Sequence, residues 1–221
     1  MIENRTLHIL NGQEMYDYFQ KNNFLAQELM IPFNEAMCYG STSSDIFSND
    51  FSEIRSKVHQ VAIEEYEYIT LKPLQALFEE MFTRIVLWFD TDMFCQINLL
   101  TILAWLDQTN YKGTIELQIV GDQYKPVAWF AIEADGYYAI YEQVLIQKTI
   151  QKYVHLDPLR KGIELYLNYL NKESDLMLYI QKHIDVSDNE LVPELLEKFK
   201  HYGLGDSQYF KIIQNYRENH L

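Results

Sequence analysis

The sequence predicts an α/β fold: a mainly parallel, Rossmann-like sheet with helices on both faces over residues 1–141, followed by an all-helical region over residues 142–221. Three observations lead there. Short apolar runs alternate with longer stretches at helical spacing, the pattern of βαβ units. The apolar runs stop at turn formers: Asn11-Gly12, the segment after Phe33, Asp90 to Asp92, and Gly121-Asp122. From about residue 142 the spacing becomes helical and stays so.

Taken in order, "LHIL" (7–10) is a first strand, and "EMYDYFQKNN" is a helix with Met15, Tyr18 and Phe19 on one face. "ELMIPF" (28–33) is a second strand, followed by a loop rich in turn formers. "FSEIRSKVHQVAIEEYEYI" (51–69) has the spacing of one helix, with Ile54, Val58, Val61 and Ile63 supplying much of its apolar face. "RIVLWF" (84–89) and "TIELQIV" (114–120) are strands three and four. Between them "MFCQINLLTILAWL" is apolar almost all round, so it is expected to pack against the sheet or beneath another helix. Residues 124–141 fit either a hairpin turned at Asp135-Gly136 or a helix starting near Tyr138, and stay unassigned. In the helical region Asp157 precedes Pro158 as an N-cap, Ser174 is a second cap, Pro193 lies near another helix start, and Gly203 and Gly205 are stops.

Composition excludes several functions. The 32 acidic against 18 basic residues give a net charge of -14, which repels a phosphate backbone and argues against nucleic-acid binding. The last two helices, joined by "YGLG", suggest helix-turn-helix, but residues 190–221 hold five acids and four Lys or Arg, no basic footprint. No apolar run of ~18 residues could span a bilayer, and "MIENRTLHILNG" lacks the basic and apolar regions of a secretory signal, so a cytoplasmic protein is expected. The 17 Tyr and 12 Phe follow no fixed period and read as packing residues. Cys38 and Cys95 are too few for a disulfide framework or a cysteine zinc site.

The chemistry concentrates in "RIVLWFDTDMFCQINLL" (84–100). In a parallel α/β sheet, ligands bind outside the carboxyl ends of the strands. That rule gathers Asn11 and Gly12, the 34–40 loop, Asp90 to Gln96, and Gly121-Asp122 on one edge. Asp90 and Asp92 could share a divalent cation, Mg²⁺ in the simplest case, with Glu35 or Asp122 as further ligands. Helix physics alone also accounts for Asp92, as an N-cap worth ~1 kcal/mol. Gln96 and Asn98, amides on so apolar a helix, need partners if buried. Cys95, in the first turn, would have a lowered thiol pKa, with Cys38 on the same edge, or else both are inert core cysteines. His8 reads as a core histidine. The other five histidines show no HxH or HExxH spacing, Glu64, Glu65 and Glu67 form a solvated face, and GxGxxG and GxxxxGK[ST] are absent.

"HILNG" (8–12), "PFNEAMCYG" (32–40) and "VLWFDTDMFCQINLLTILAWL" (86–106) resemble, in the same order, the motifs of an uncharacterised bacterial domain-of-unknown-function family, roughly HIxNGD, PWxDxLxEGP and VLWFxxDxxxQLxLLxxLxxL. The resemblance covers about residues 6–122 and extends weakly to "HLDPLRKGIELYL". It implies shared positions at Asn11, Gly12, Gly40, Asp92 and Gln96, and no particular activity. Gln13 and Tyr39 stand where the family pattern has acids, and Asp90 matches no fixed acid. Three readings follow: a module binding a small polar, phosphorylated or nucleotide-like ligand through Asn11, Gly12, Gly40, Asp92 and Gln96; a metal-assisted hydrolase or transferase; and a protein-interaction module using tail tyrosines 166, 169, 179, 202 and 209. Oligomeric state is not legible in the sequence.

Overall fold

Five strands organise the chain: β1 (Thr6–Leu10), β2 (Leu29–Pro32), β3 (Arg84–Phe89), β4 (Thr114–Val120) and β5 (Pro126–Ile132). The structure, a computed structural model, describes residues 5–220. Strand order is β2-β1-β3-β4-β5, with β1 to β4 parallel and β5 antiparallel to β4. The expected α/β fold with a helical C-terminal region is therefore present, and β3 and β4 have the predicted bounds. The chain winds outward in both directions from between β1 and β3, which makes that gap the topological switch point.

Strand alternation divides the core between two faces. Leu10, Met30, Val86 and Trp88 point to the side covered by α1 (Gln13–Lys21), where Met15 and Phe19 meet them. Leu7, Ile9, Ile85, Leu87, Leu117 and Ile119 point to the other side. Into that larger cluster pack α2 (Asn49–His59), α3 (Ile63–Tyr66), α4 (Gln75–Glu79), α5 (Met93–Gln108) and α6 (Tyr137–Tyr141). The helical region follows as α7 (Asp157–Tyr169), α8 (Asp175–Lys182), α9 (Asp188–Lys198) and α10 (Asp206–His220).

Twelve of the sixteen residues of α5 are buried, because the sheet lies beneath it and α6 and α7 lie above. Each buried Leu or Ile there contributes about 1.5–3 kcal/mol, so packing outweighs the ~1 kcal/mol of its N-cap. Tyr166, Leu176, Leu191 and Tyr209 from α7 to α10 join the same apolar cluster as the sheet.

Two expected elements take a different form. The single helix over 51–69 breaks at Gln60, which has a left-handed φ of 59°, and resumes as α3 followed by a π-helical turn, Glu67–Leu71. The reason is a shared partner: His59 and Tyr66 both bond Glu35, yet one straight helix would separate them by about 10 Å along its axis. The unassigned stretch 124–141 supplies β5 and α6, the hairpin turning earlier, where Gln123 and Tyr124 have φ of 56° and 55°. Asp135-Gly136 leads into α6 instead. Leu156, not Asp157, is the N-cap of α7; Asp157 is its first residue, paired with Arg160 and Lys161. Ser174 caps α8 as expected, accepting from the Met177 N–H.

Two glycines let the helical region close onto the start of α5. A Cβ on Gly162 of α7 would lie 2.3 Å from Gln96 Cβ, and one on Gly203 would lie 2.1 Å from Asp92 Oδ1. Gly203 also has a φ of +66°, costly for any other L-residue. Gly203→Ala should therefore lower stability by about 1–3 kcal/mol in urea unfolding. Gly205→Ala, whose new methyl would meet only Gln208 Oε1 at 3.7 Å, should be close to neutral. Equal effects of the two substitutions would contradict this docking.

Candidate functional site

The parallel order brings the carboxyl ends of β1 to β4 to one edge, and side chains from separate turns meet there. Asn11, after β1, donates from Nδ2 to Cys95 Sγ at 2.8 Å and accepts at Oδ1 from Asn98 Nδ2 at 2.9 Å. Gly12 has a φ of +94°, which lets the chain turn into α1. Asp92 is the N-cap of α5 and accepts the Cys95 N–H at 2.8 Å. Tyr124, from the β4–β5 turn, is pushed up to about 12 by burial and by the charges of Glu14 and Asp90 close by, so that turn borders the same crevice.

Asn98 is fully satisfied. It accepts the Met37 N–H at 3.0 Å and donates also to the Glu35 carbonyl at 2.6 Å. Gln96 is not. Its side chain is wholly buried, its Nε2 donates to the Asp90 carbonyl, and its Oε1 has no partner. Asn34 Oδ1 is a second buried acceptor without a partner. Gly40 does other work: a Cβ there would strike Val58 at 2.5 Å, so it packs the β2–α2 connection onto α2.

Behind this edge lies a buried ionic cluster that the sequence did not reveal. Glu35 and Arg55 form an ion pair at 2.8 Å with both side chains fully buried. Glu35 also accepts from the Ala36 N–H at 2.6 Å, from Tyr66 Oη at 2.5 Å, and contacts His59 Nε2 at 2.6 Å. Arg55 donates besides to the carbonyls of Ala36, Tyr39 and Ser41, so all five of its N–H groups have acceptors. The only hint in the sequence is the i, i+4 pair Arg55 and His59 on a helix whose other face is apolar.

Charge states follow from these surroundings. Burial alone would raise the Glu35 carboxyl, but the hydrogen bond with His59 and the charge and hydrogen bonds of Arg55 prevail and hold it at about 2. Asp92 is moved the other way: burial raises it, Asp90 adds to the rise, and the N–H groups of Cys95 and Phe94 only partly oppose it. Of the two readings of the cysteines, the surroundings match the inert core one. Burial, and after it the Asp92 charge, pushes Cys95 well above the ordinary thiol range, and burial takes Cys38 to about 12. Neither is an activated nucleophile. His8 is a core residue whose Nδ1 accepts from Trp88 Nε1 at 3.0 Å, and burial lowers its pKa.

Of the metal candidates, Asp90 and Asp92 share the α5 turn, Asp122 is exposed on the β4–β5 turn, and the Glu35 oxygens are committed to Arg55, His59, Tyr66 and Ala36. Among the described residues no three His, Cys, Asp or Glu side chains gather to hold a metal ion, and no helix is long and apolar enough to cross a membrane. The fold and this edge define a mainly parallel α/β protein whose carboxyl edge is covered by its own C-terminal helices. Scans against protein-family models, curated proteins and solved structures return no match.

The Glu35 cluster generates a pH dependence with a definite sign. A carboxyl held at about 2 in the folded chain, against an ordinary 4.5, contributes stability that is complete above about pH 4.5 and lost as pH falls towards 2. Urea midpoints should drop over that window and drop less in Glu35→Gln; parallel curves for the two proteins would contradict the assignment. Arg55→Met, which strands the carboxylate, should cost about 3–5 kcal/mol at neutral pH.

Proposed function

We propose that the chain is a cytoplasmic binding module for a small polar ligand that enters at the carboxyl edge of the sheet, between the β1–α1 and β3–α5 turns and beneath the helical cover. Asn11 and Gly12 shape one wall, Asp92 and Gln96 the other, and Gly40 fixes the loop behind them. These are the positions that the motif resemblance also picks out.

The observation that carries this reading is Gln96. A buried acceptor with no partner costs roughly 1–3 kcal/mol, and a donor supplied by a ligand recovers it. Beside it Asp92 is kept in surroundings that disfavour its charge, a burden that an uncharged Asn cap would avoid.

The same edge favours one class of ligand. Its three turns carry Glu14, Asp90, Asp92 and Asp122 against Lys125 alone. Acceptors dominate, and an anion entering there would meet carboxylates before it met the N-terminus of α5. This supports a ligand that presents donors, such as an amine, an amide or the N–H edge of a nucleobase, over a bare phosphate.

A thermal-shift screen of the full chain with small amines, amides, nucleobases and nucleosides, and with the corresponding phosphates, tests the proposal. A ligand at a hundred times its Kd adds about 2.7 kcal/mol of stability, a readily measured rise in Tm. The rise is expected with donor-bearing compounds, and it should vanish in Asp92→Asn and in Gln96→Ala while both variants stay folded. Hits that bind the variants as tightly as the parent would rule out this edge.

A further inference from the structure

A cavity of about 680 Å³ opens at the seam between the 33–48 segment and the C-terminal helices, and none of the side chains proposed for the sheet edge lines it. Helical spacing builds two of its walls. Met177 and Gln181 lie four apart on α8, and Ile212 and Tyr216 four apart on α10, so each pair stands on one face of its helix. Tyr169, the last residue of α7, and Tyr39 supply the others. Tyr39 is fixed from behind, because Arg55 donates to its carbonyl at 2.6 Å. The volume falls within the roughly 300–1,000 Å³ of small-molecule sites, which are mostly apolar and aromatic, carry a few polar groups, and favour junctions of this kind.

Charge sets this cavity apart. The chain has a net charge of -14, and four other clefts of 510–590 Å³ each present two or more carboxylates. This one presents none, and its single charged lining residue is Lys172. Lys211 is close by, its Nζ 6.0 Å from the centre of the Tyr39 ring. Among the described residues neither lysine is paired with a carboxylate, although acids outnumber bases 32 to 18. Nor does the Tyr169 hydroxyl have a hydrogen-bond partner among them; burial raises its pKa, so it stays a neutral O–H donor. We propose that the cavity binds a small aromatic monocarboxylate, its ring among Tyr39, Tyr169, Tyr216 and Met177 and its carboxylate at Lys172 and the Tyr169 hydroxyl. Tyrosine rings and a methionine sulfur reward a flat ring, and the ammonium and hydroxyl supply charge-assisted hydrogen bonds. A monoanion suits the single lining lysine, because a phosphate dianion would leave one charge unmatched inside a strongly acidic chain. This ligand is opposite in kind to the donor-bearing one proposed at the sheet edge, so chemistry separates the two sites.

Isothermal titration calorimetry on the full chain tests this with benzoate and cinnamate as probes. Both should bind. Benzamide and cinnamamide, which keep the ring and lose the charge, should bind roughly tenfold more weakly or worse, and acetate, which keeps the charge and loses the ring, should give no measurable binding. Lys172→Glu changes an exposed side chain and should abolish binding with an unchanged Tm, whereas Lys172→Arg should keep most of it. Tyr169→Phe should weaken binding by roughly several-fold, and Gln96→Ala, at the other site, should leave it intact. In methionine-methyl NMR the Met177 signal, identified by its loss in Met177→Leu, should shift on titration. No binding of either carboxylate, amides as tight as their acids, phenyl phosphate tighter than benzoate, binding that survives Lys172→Glu, or a Met177 signal that stays in place would each overturn the proposal.

Discussion

The rest of the structure depends on a buried ion pair. Arg55 and Glu35 sit wholly out of water, where each charge would cost several kcal/mol if left alone. Neither is alone: the guanidinium uses five donors, and the carboxylate is bonded by Arg55, Tyr66 and a backbone amide and touched by His59. Because well-packed apolar residues often give equal stability, stability alone does not explain such a pair. What it supplies is placement. Residues 33–48 form neither helix nor strand, yet Arg55 fastens the carbonyls of Ala36, Tyr39 and Ser41. Gln108 and Tyr141 fasten the later part of the segment. A connection of this length would otherwise be expected to wander.

Asn98 carries that order to the sheet edge. One amide on an apolar helix binds the Glu35 carbonyl, the Met37 N–H and the Asn11 side chain, and Asn11 in turn reaches Cys95, whose N–H is held by Asp92. A continuous polar path therefore joins the buried ion pair to the N-terminus of α5. Gly162 and Gly203 bring the C-terminal helices down on the same place. The candidate site is set from behind by the ion pair and from above by the cover, which is how a ligand group can be met by side chains already fixed in position.

Much of this was legible in the sequence. The strands could be read because parallel strands buried on both faces appear as unbroken apolar runs, as in "RIVLWF" and "TIELQIV". The Asp92 cap and the need for partners at Gln96 and Asn98 were legible for a related reason: polar groups stand out on a helix with no polar face. The Arg55 cluster was not, since an arginine in a moderately polar helix looks solvent-facing until its five acceptors, three backbone carbonyls and the two oxygens of Glu35, are known. The break at Gln60 was hidden likewise, because it answers to Glu35 and not to local propensity. β5 was obscured by its hairpin, which turns through non-glycine residues with positive φ at Gln123 and Tyr124, while the more obvious Asp135-Gly136 starts a helix.

Hydrogen exchange at two amides tests most directly whether the buried ion pair fixes the 33–48 segment and hence the sheet edge. The Ala36 N–H donates to Glu35 Oε1 and the Met37 N–H to Asn98 Oδ1. If the ion pair and Asn98 hold the segment as described, native-state exchange should show both amides protected nearly as strongly as the core strands β1 and β3, opening only with global unfolding. Exchange of both at the rate of an open loop, with β1 and β3 still protected, would contradict the account.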